Sequence, residues 1–229
     1  MREPSDELFH RASHDLTAPL RDIALLAEWI EQDAAPSLSL ECLESLQLMR
    51  ARITRLRSAL ADLLVYCRAP QTVREISRVD SGNLVRQLLV QLAVPESFAL
   101  VLSSALPVIE TSQTALREVF RQLLRNVVQH HDRGGGTIEI QWRQQDNSIE
   151  WCVSDDGPGI SEAGRAVILK MFIALKGVDD NLGSGVGLAV ANRFVELNGG
   201  QISIEPNEPR GTRFRFSWPL SALAITSVG

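Results

Sequence analysis

One helical pattern constrains this chain more than any other feature. Between about Ser39 and Arg68, apolar residues recur at alternating steps of four and three, at Cys42, Leu46, Met49, Ile53, Leu56, Leu60, Leu63 and Cys67. Such a repeat places one apolar seam along a helix and is typical of helices that pack side by side. A second helical pattern runs from about Ser5 to Asp33, and a break at residues 34–37 separates the two. The sequence therefore predicts an antiparallel helical hairpin at the start of the chain.

The predicted hairpin carries more apolar surface than it can bury by itself. Further apolar residues lie outside the seam, at Leu26, Leu43, Leu48, Leu64 and Val65. Two hairpins can bury such surface as a four-helix bundle. We therefore expect a homodimer through this segment.

The segment Ser13-His14-Asp15-Leu16-Thr17-Ala18-Pro19-Leu20 breaks a rule of the first helix. Proline has no backbone N–H and costs about 3 kcal/mol inside a helix. A broken rule beside a histidine and an acid indicates function. His14 lies off the apolar face, where a neutral imidazole can act as a nucleophile while Asp15 fixes its tautomer and accepts its proton. The alternative is a solvated histidine without a role.

Composition excludes several classes of protein. The 229 residues carry a net charge of −5 without a Lys/Arg-rich block, which disfavours binding to nucleic acid or to acidic membranes. Apolar runs stay well below the roughly 20 residues that span a bilayer, and the acidic N-terminus is unlike a signal peptide. We expect Cys42, Cys67 and Cys152 to be small buried hydrophobic residues in a reducing cytosol.

After a boundary near residues 69–75 the pattern predicts a mixed α/β unit, so that domains of residues 1–70 and 71–229 are expected. Predicted helices cover Ser81–Ala93, a segment from a cap at Thr111 or Ser112 to about His131, and about Leu188–Leu197; predicted strands cover 73–79, 98–102, 201–204, 212–218 and a hairpin around Asp146-Asn147. Polar side chains of the middle helix, at Gln122, Asn126, Gln129 and His130, share one face.

Two glycine motifs follow predicted elements of this unit. Asp155-Asp156-Gly157-Pro158-Gly159-Ile160 ends a strand, and Gly183-Ser184-Gly185-Val186-Gly187-Leu188 precedes a helix. Bare backbone N–H groups at a helix N-terminus can hold phosphates. A plain turn and a plain surface loop are the alternatives.

In this order the motifs resemble the catalytic core of a two-component sensor histidine kinase, over nearly the whole chain. The segment around His14 resembles the phosphoacceptor box, residues 122–126 the asparagine box, Phe172 the phenylalanine box, and the two glycine motifs the glycine boxes. His14-Asp15 and residues 130–133 are similar to bacteriophytochrome-like kinases. The resemblance implies a dimerising hairpin followed by a two-layer α/β sandwich of the histidine kinase, topoisomerase and chaperone ATPase type.

The resemblance also implies the roles of single residues. His14 is the phosphoacceptor, with Asp15 as the base that orients it, and Asn126 holds Mg²⁺. The implied ATP-binding residues are Asn126, Gln129, His130, Asp155, Gly157, Gly159, Ile160, Phe172, Lys176, Gly183, Ser184, Gly185, Val186, Gly187 and Leu188. Asp155 accepts a hydrogen bond from the adenine amino group, and residues 173–182 form a lid.

The same resemblance implies the partners and the location. They are a second copy of the chain, a response-regulator receiver domain, and an upstream sensor domain or sensor protein, all in the bacterial cytoplasm, without nucleic acid and without a membrane segment in this chain.

The chain departs from the family pattern at three positions. Gln122 stands where the family usually has asparagine, Gln129 where it usually has lysine, and Ala18 where a Thr or Asn supports phosphatase activity, which we therefore expect to be weak. Two rival functions remain open: a core that binds nucleotide poorly and only heterodimerises, and a chaperone-type ATPase switch. Glutamine cannot act as a base toward water, so Gln122 disfavours the switch.

Overall fold

The chain begins with two long helices. The computed structural model describes the backbone of residues 4–34, 37–72, 75–170 and 184–220, and their side chains from Thr17 onward except at positions 34 and 72. Helix α1 spans Pro4–Ala34 and helix α2 spans Leu40–Thr72, and the two pack along each other. The predicted hairpin is therefore confirmed, and α1 continues through Pro19.

The predicted end of α2 is wrong. We expected the helix to end near Arg68, before Pro70, but it continues through Pro70 to Thr72. A proline removes the hydrogen bond to the carbonyl four residues earlier and crowds that carbonyl, and here it lies in the last turn, where few helical bonds follow it. Ala69 is fully buried in the core of the α/β unit, so tertiary packing holds this turn helical.

The α/β unit follows the hairpin. Its elements are β1 (Ser77–Asp80), α3 (Ser81–Gln91), β2 (Phe98–Leu102), β3 (Val108–Thr111), α4 (Gln113–His130), β4 (Gly136–Gln145), β5 (Ser148–Asp155), α5 (Glu162–Arg165), α6 (Gly187–Leu197), β6 (Ile202–Pro206) and β7 (Thr212–Pro219). Five strands form a sheet in the order β2-β4-β5-β7-β6, parallel between β2 and β4 and otherwise antiparallel. Strands β1 and β3 form a separate antiparallel pair.

The core lies between one face of the five-stranded sheet and the helices α3, α4 and α6. Its centre is aromatic. The ring centroid of Phe120 on α4 lies 5.2 Å from the ring centroid of Trp151 and 5.7 Å from that of Phe216. Trp218 Nε1 donates to Thr111 Oγ1 at 2.7 Å, which ties β7 to β3. The predicted two-layer sandwich is confirmed, and its layers fix where the ends of β5 and α6 meet.

Local sequence signals explain how the helices begin. Ser112 caps α4, since its hydroxyl accepts from the N–H of Ala115 at 3.3 Å. Asp80 caps α3 in the same way through the N–H of Asn83. Of the two predicted caps for α4, Ser112 is therefore correct, because Thr111 is the last residue of β3.

The hairpin exposes large apolar side chains in the single chain. They are Ile23, Leu25, Leu26, Trp29, Ile30, Leu40, Leu48 and Leu56. The prediction that all cysteines are buried is wrong: Cys152 is buried and Cys67 partly so, but Cys42, in the first turn of α2, is exposed. None of the helices within the described ranges combines the length and the apolar character needed to cross a membrane.

Candidate nucleotide site

Asp155 ends β5 and is 6% exposed. Its Oδ1 accepts from the N–H of Gly157 at 2.8 Å and from the N–H of Thr212 at 3.2 Å. Burial raises the pKa of Asp155, although these two hydrogen bonds act in the opposite direction. Both described bonds go to Oδ1, so Oδ2 remains as an acceptor for a polar ligand.

The loop after Asp155 approaches the backbone of residue 211 closely. Gly159 has φ +77°, and a side chain there would meet the carbonyl oxygen of Gly211 at 3.0 Å. Ile160 is half-buried, and its carbonyl accepts from Arg165 Nη1 at 2.6 Å. The first glycine motif therefore packs its backbone against residue 211, next to Asp155.

Asp156 has a different environment from its neighbour. It accepts from the backbone N–H of Thr137 at 2.6 Å and lies 3.1 Å from Nε2 of His131. Burial acts to raise the pKa of Asp156, but these two contacts outweigh it and the pKa is lowered. The His131 ring is buried edge-on against Phe98, with 5.3 Å between centroids. The pair of Asp156 and His131 thus fixes the start of β4 against the end of β5.

The second glycine motif leads into α6. Ser184 Oγ accepts from the N–H of Val186 at 3.3 Å, and Val186 offers no side-chain cap to the helix. The first N–H groups of α6 are therefore not satisfied by a cap, which suits an anionic ligand. A Cβ at Gly187 would lie 2.6 Å from Gln122 Oε1 and 2.8 Å from Arg125 Nη2, so a side chain there would have to displace one of these two groups.

The four polar residues predicted on one face of α4 have two different environments: three are partly buried, and the fourth, Gln122, is fully buried. Asn126, Gln129 and His130 are partly buried, and the Asn126 amide forms no hydrogen bond within the described part of the chain. Burial, and then the charge of Arg125, lower the pKa of His130, so its imidazole is neutral at neutral pH. These three side chains are available to a ligand.

Gln122 instead turns toward the hairpin. It is 1% exposed, and its Nε2 donates to Asp62 Oδ1 at 3.1 Å and to Glu118 Oε1 at 2.7 Å. Its Oε1 is buried without a hydrogen-bond partner among the described residues. The four side chains predicted to share one face are thus divided: Asn126, Gln129 and His130 lie on the ligand side of α4, and Gln122 lies on the side that faces α2.

The donors on α4 fit a hard cation that is held mainly by phosphate oxygens. The amide oxygen of Asn126, on the ligand side of α4, is a ligand that Mg²⁺ accepts. No group of three His, Cys, Asp or Glu that could hold a metal exists within the described ranges. Asn126 is the residue of this face whose chemistry fits the ion.

Sequence analysis missed Asp62. This carboxylate on α2 is 1% exposed and is held by side chains of α4 and by Ser184. A single acid in the otherwise apolar run of residues 59–67 is the signal that could have revealed it, because an isolated buried charge requires partners.

Thr17 marks the level of the predicted phosphoacceptor along the hairpin. It lines a groove together with α2 residues, namely Thr54, Arg57, Ser58, Ala61 and Leu64. The backbone of His14 lies in α1 about one turn before Thr17. The side chains of His14 and Asp15, and the residues Phe172, Lys176 and Gly183, lie outside what the structure describes.

Residues 111–222 match the family model described as histidine kinase-, DNA gyrase B-, and HSP90-like ATPase. This segment begins at the end of β3 and contains α4, Asp155 and both glycine motifs. The match covers the part of the chain in which the candidate site lies.

Relatives that match almost the whole chain are sensory proteins. The phytochrome-like protein Cph1 of Synechocystis is 26% identical over 91% of this chain and 28% of its own length. The adaptive-response sensory kinase SasA of Synechococcus is 26% identical over 95% of this chain and 60% of its own length. This chain therefore spans less than two thirds of either relative.

Among solved structures, full-length ShkA in complex with AMPPNP is similar, with a TM-score of 0.65, 25% identity, and coverage of 95% of this chain and 46% of that one. The histidine kinase AdeS of Acinetobacter baumannii shares the fold, with a TM-score of 0.57 and 17% identity over 89% of this chain.

Proposed function

The chain has the catalytic core of a two-component sensor histidine kinase, and we propose that it phosphorylates its own His14 with ATP and passes the phosphate to an aspartate of a response regulator. Residues 1–70 carry the phosphoacceptor and the dimer interface, and residues 71–229 bind ATP. The protein acts in the bacterial cytoplasm and takes its signal from an upstream sensor domain or sensor protein.

One observation carries this proposal. Ser184, in the loop proposed to hold phosphates, donates to Asp62 on α2 at 2.8 Å. Ala61, the residue before Asp62 on α2, lines a groove together with Thr17 of α1. The phosphate loop thus lies against the hairpin close to the level of His14.

Each residue of the candidate site has a proposed role in binding ATP. Asp155 offers Oδ2 to the adenine amino group, and the first turn of α6 offers N–H groups to the phosphates. Asn126 holds Mg²⁺, which supplies charge neutralisation at the phosphates. Gln129 and the neutral His130 contact the nucleotide beside it, Phe172 and Lys176 belong to the lid, and Ile160 packs near the base.

The transfer itself needs a nucleophile and a base. A ring nitrogen of neutral His14 attacks the γ-phosphorus in line, an N–P bond forms, the bond from the γ-phosphorus to the bridging oxygen breaks, and ADP leaves. Asp15 orients the ring and accepts its proton. Gln122, whose amide binds Asp62 and Glu118, provides no base for water, which favours transfer over hydrolysis.

Homodimerisation is supported by the exposed apolar residues of the hairpin. Trp29 is 56% exposed and Leu56 is 55% exposed, and both belong to helices that would form a four-helix bundle.

The proposal is tested by incubating the chain with Mg²⁺ and γ-labelled ATP beside a His14→Gln variant. We expect label that is acid-labile, stable in alkali and absent from the variant. Binding of ATP without label would favour a non-catalytic partner of another kinase, and equal labelling of both chains would overturn His14 as the acceptor.

A further inference from the structure

The Asp62 carboxylate joins the hairpin to the nucleotide site. Arg125 donates with Nη1 to Oδ1 at 3.1 Å and with Nη2 to Oδ2 at 2.5 Å. Oδ2 also accepts from Ser184 Oγ at 2.8 Å, and Oδ1 from Gln122 Nε2 at 3.1 Å and from Arg121 Nη2 at 3.5 Å. The buried acid is therefore surrounded by donors from α4 and from the loop before α6.

These donors are of the kind that also bind phosphate. A guanidinium fork donates two parallel hydrogen bonds to the oxygens of a carboxylate or of a phosphate with the same geometry. Ser184 belongs to the phosphate loop, and Arg125 Nη2 lies against Gly187, at 2.8 Å from where a Cβ would be. Arg125 thus contacts the phosphate loop on one side and Asp62 on the other.

We propose that Arg125 and Ser184 form one anion site with two competing occupants, the Asp62 carboxylate in the nucleotide-free chain and the terminal phosphate of ATP in the loaded chain. ATP then releases α2 from the phosphate loop, and ADP, which lacks that phosphate, does not. This inference rests on the proposed function, because it takes the loop before α6 as the phosphate site.

The remaining contacts make such an exchange feasible. When Arg125 and Ser184 leave Asp62, Gln122 and Arg121 still contact its Oδ1, so the buried acid keeps partners. Arg121 is itself held by Glu118 and does not need Asp62 as its partner. Only Arg125 and Ser184 exchange the Asp62 carboxylate for the phosphate as their acceptor.

Competition has a reciprocal thermodynamic consequence. Whatever free energy Asp62 contributes to holding the loop is subtracted from the binding of ATP. Removing the charge of Asp62 should therefore strengthen ATP binding and leave ADP binding almost unchanged.

The experiment measures the affinity of the full chain for a non-hydrolysable ATP analogue and for ADP. We expect Asp62→Asn to bind the analogue about tenfold more tightly and ADP within twofold. The control Glu31→Gln removes another acid of the hairpin, one paired with Arg50 at 2.6 Å on the exposed side, and should change neither affinity. An Asp62→Asn chain that binds the analogue no more tightly, or gains equally for both nucleotides, would overturn the proposal.

A double variant and an exchange experiment separate competition from a loss of folding. Arg125→Gln should weaken analogue binding, and Asp62→Asn should bring no gain in its presence. In the unaltered chain, the analogue but not ADP should increase amide hydrogen exchange in residues 59–66. Unchanged exchange in this segment with the analogue bound would contradict the release of α2.

These readouts do not depend on phosphorylation. If the chain binds the analogue as expected but His14 is never labelled, the proposed function fails and the competition stands. If His14 is labelled and Asp62→Asn gains no affinity for the analogue, only the competition fails.

Discussion

Gly187 lies directly against Gln122: a Cβ at position 187 would come within 2.6 Å of the buried Oε1 of Gln122. The first residue of α6 therefore packs against side chains from the middle of α4. This contact brings the N-terminus of α6 to the polar face of α4, and it depends on a residue without a side chain.

The Gly187→Ala change should disrupt the nucleotide site. The added methyl must displace Gln122 or Arg125, and overpacking of this kind costs about 1–3 kcal/mol. We expect weaker binding of the ATP analogue and a lower midpoint of urea denaturation. Gly134→Ala is the matched control, because a Cβ there has open space around it. Equal behaviour of the two variants would contradict the close packing of α6 on α4.

The Asp155→Asn change tests adenine recognition. Oδ1 is occupied by the N–H groups of Gly157 and Thr212, so an asparagine must keep its oxygen there and present an NH₂ group toward the ligand. Two donors then face each other, which should cost about 1.5–3 kcal/mol, or roughly 10- to 150-fold in affinity for ATP. Calorimetric titration measures this loss. Asp146→Asn, in the exposed hairpin turn, is the control; an Asp155→Asn chain with unchanged ATP affinity would contradict the assignment.

Most elements of the fold were predictable because their signals are local. The heptad seam, the cap at Ser112, and the alternation of Ile149, Trp151 and Val153 each reflect a face that must be buried, and the structure confirms those elements. Strand β3 was missed because its four residues carry no clear alternation and become a strand by pairing with β1. Helix α2 passed its predicted end because Ala69 packs on the α/β core, which no local pattern shows.

The site was predictable to the extent that backbone geometry defines it. Glycines near Asp155 and before α6 mark close approaches that sequence can indicate. Asp62 was missed because its hydrogen-bond partners are far away in the sequence. Arg125 is 63 positions from it and Ser184 is 122 positions from it. Gln122 was predicted to share a face with Asn126, Gln129 and His130, and only the packed hairpin shows that it turns to Asp62 instead.

The Thr111→Val change should destabilise the α/β unit without touching the site. Trp218 Nε1 would lose its acceptor while remaining fully buried, and a buried donor without a partner costs about 1–3 kcal/mol. We expect a lower midpoint of urea denaturation, with an unchanged dependence of the free energy of unfolding on urea concentration. Thr114→Val, at an exposed position of α4, is the control; equal midpoints for the two variants would show that this hydrogen bond contributes little.

The Asp62 cluster should make stability depend on pH in the acid range. Burial alone would raise the pKa of Asp62, but the hydrogen bonds and charge of Arg125, with the bonds from Ser184 and Gln122, outweigh it and lower the pKa below the ordinary value of 3.8. A lowered pKa in the folded state gives stability that is present above the unfolded value and is lost as pH falls through the folded value.

The free energy of unfolding of the unaltered chain should therefore fall more steeply below about pH 4 than that of Asp62→Asn. Urea denaturation of both chains at neutral pH and through the acid range measures the difference. The buried Asp155, whose pKa is raised, acts in the opposite direction in both chains and cancels in the comparison. Parallel pH profiles would show that folding does not lower the pKa of Asp62.

Leu56 tests the dimer, because it belongs to the predicted seam of α2 and is 55% exposed in the single chain. The Leu56→Glu change places a charge where we expect an apolar contact with the partner, and burying an unpaired carboxylate is far more costly than burying leucine. The variant should sediment as a monomer at micromolar concentration, whereas the unaltered chain sediments as a dimer. Arg52→Glu changes charge at another exposed position of the same helix and should leave the dimer intact. A Leu56→Glu chain that remains dimeric would place the interface on another face of the hairpin.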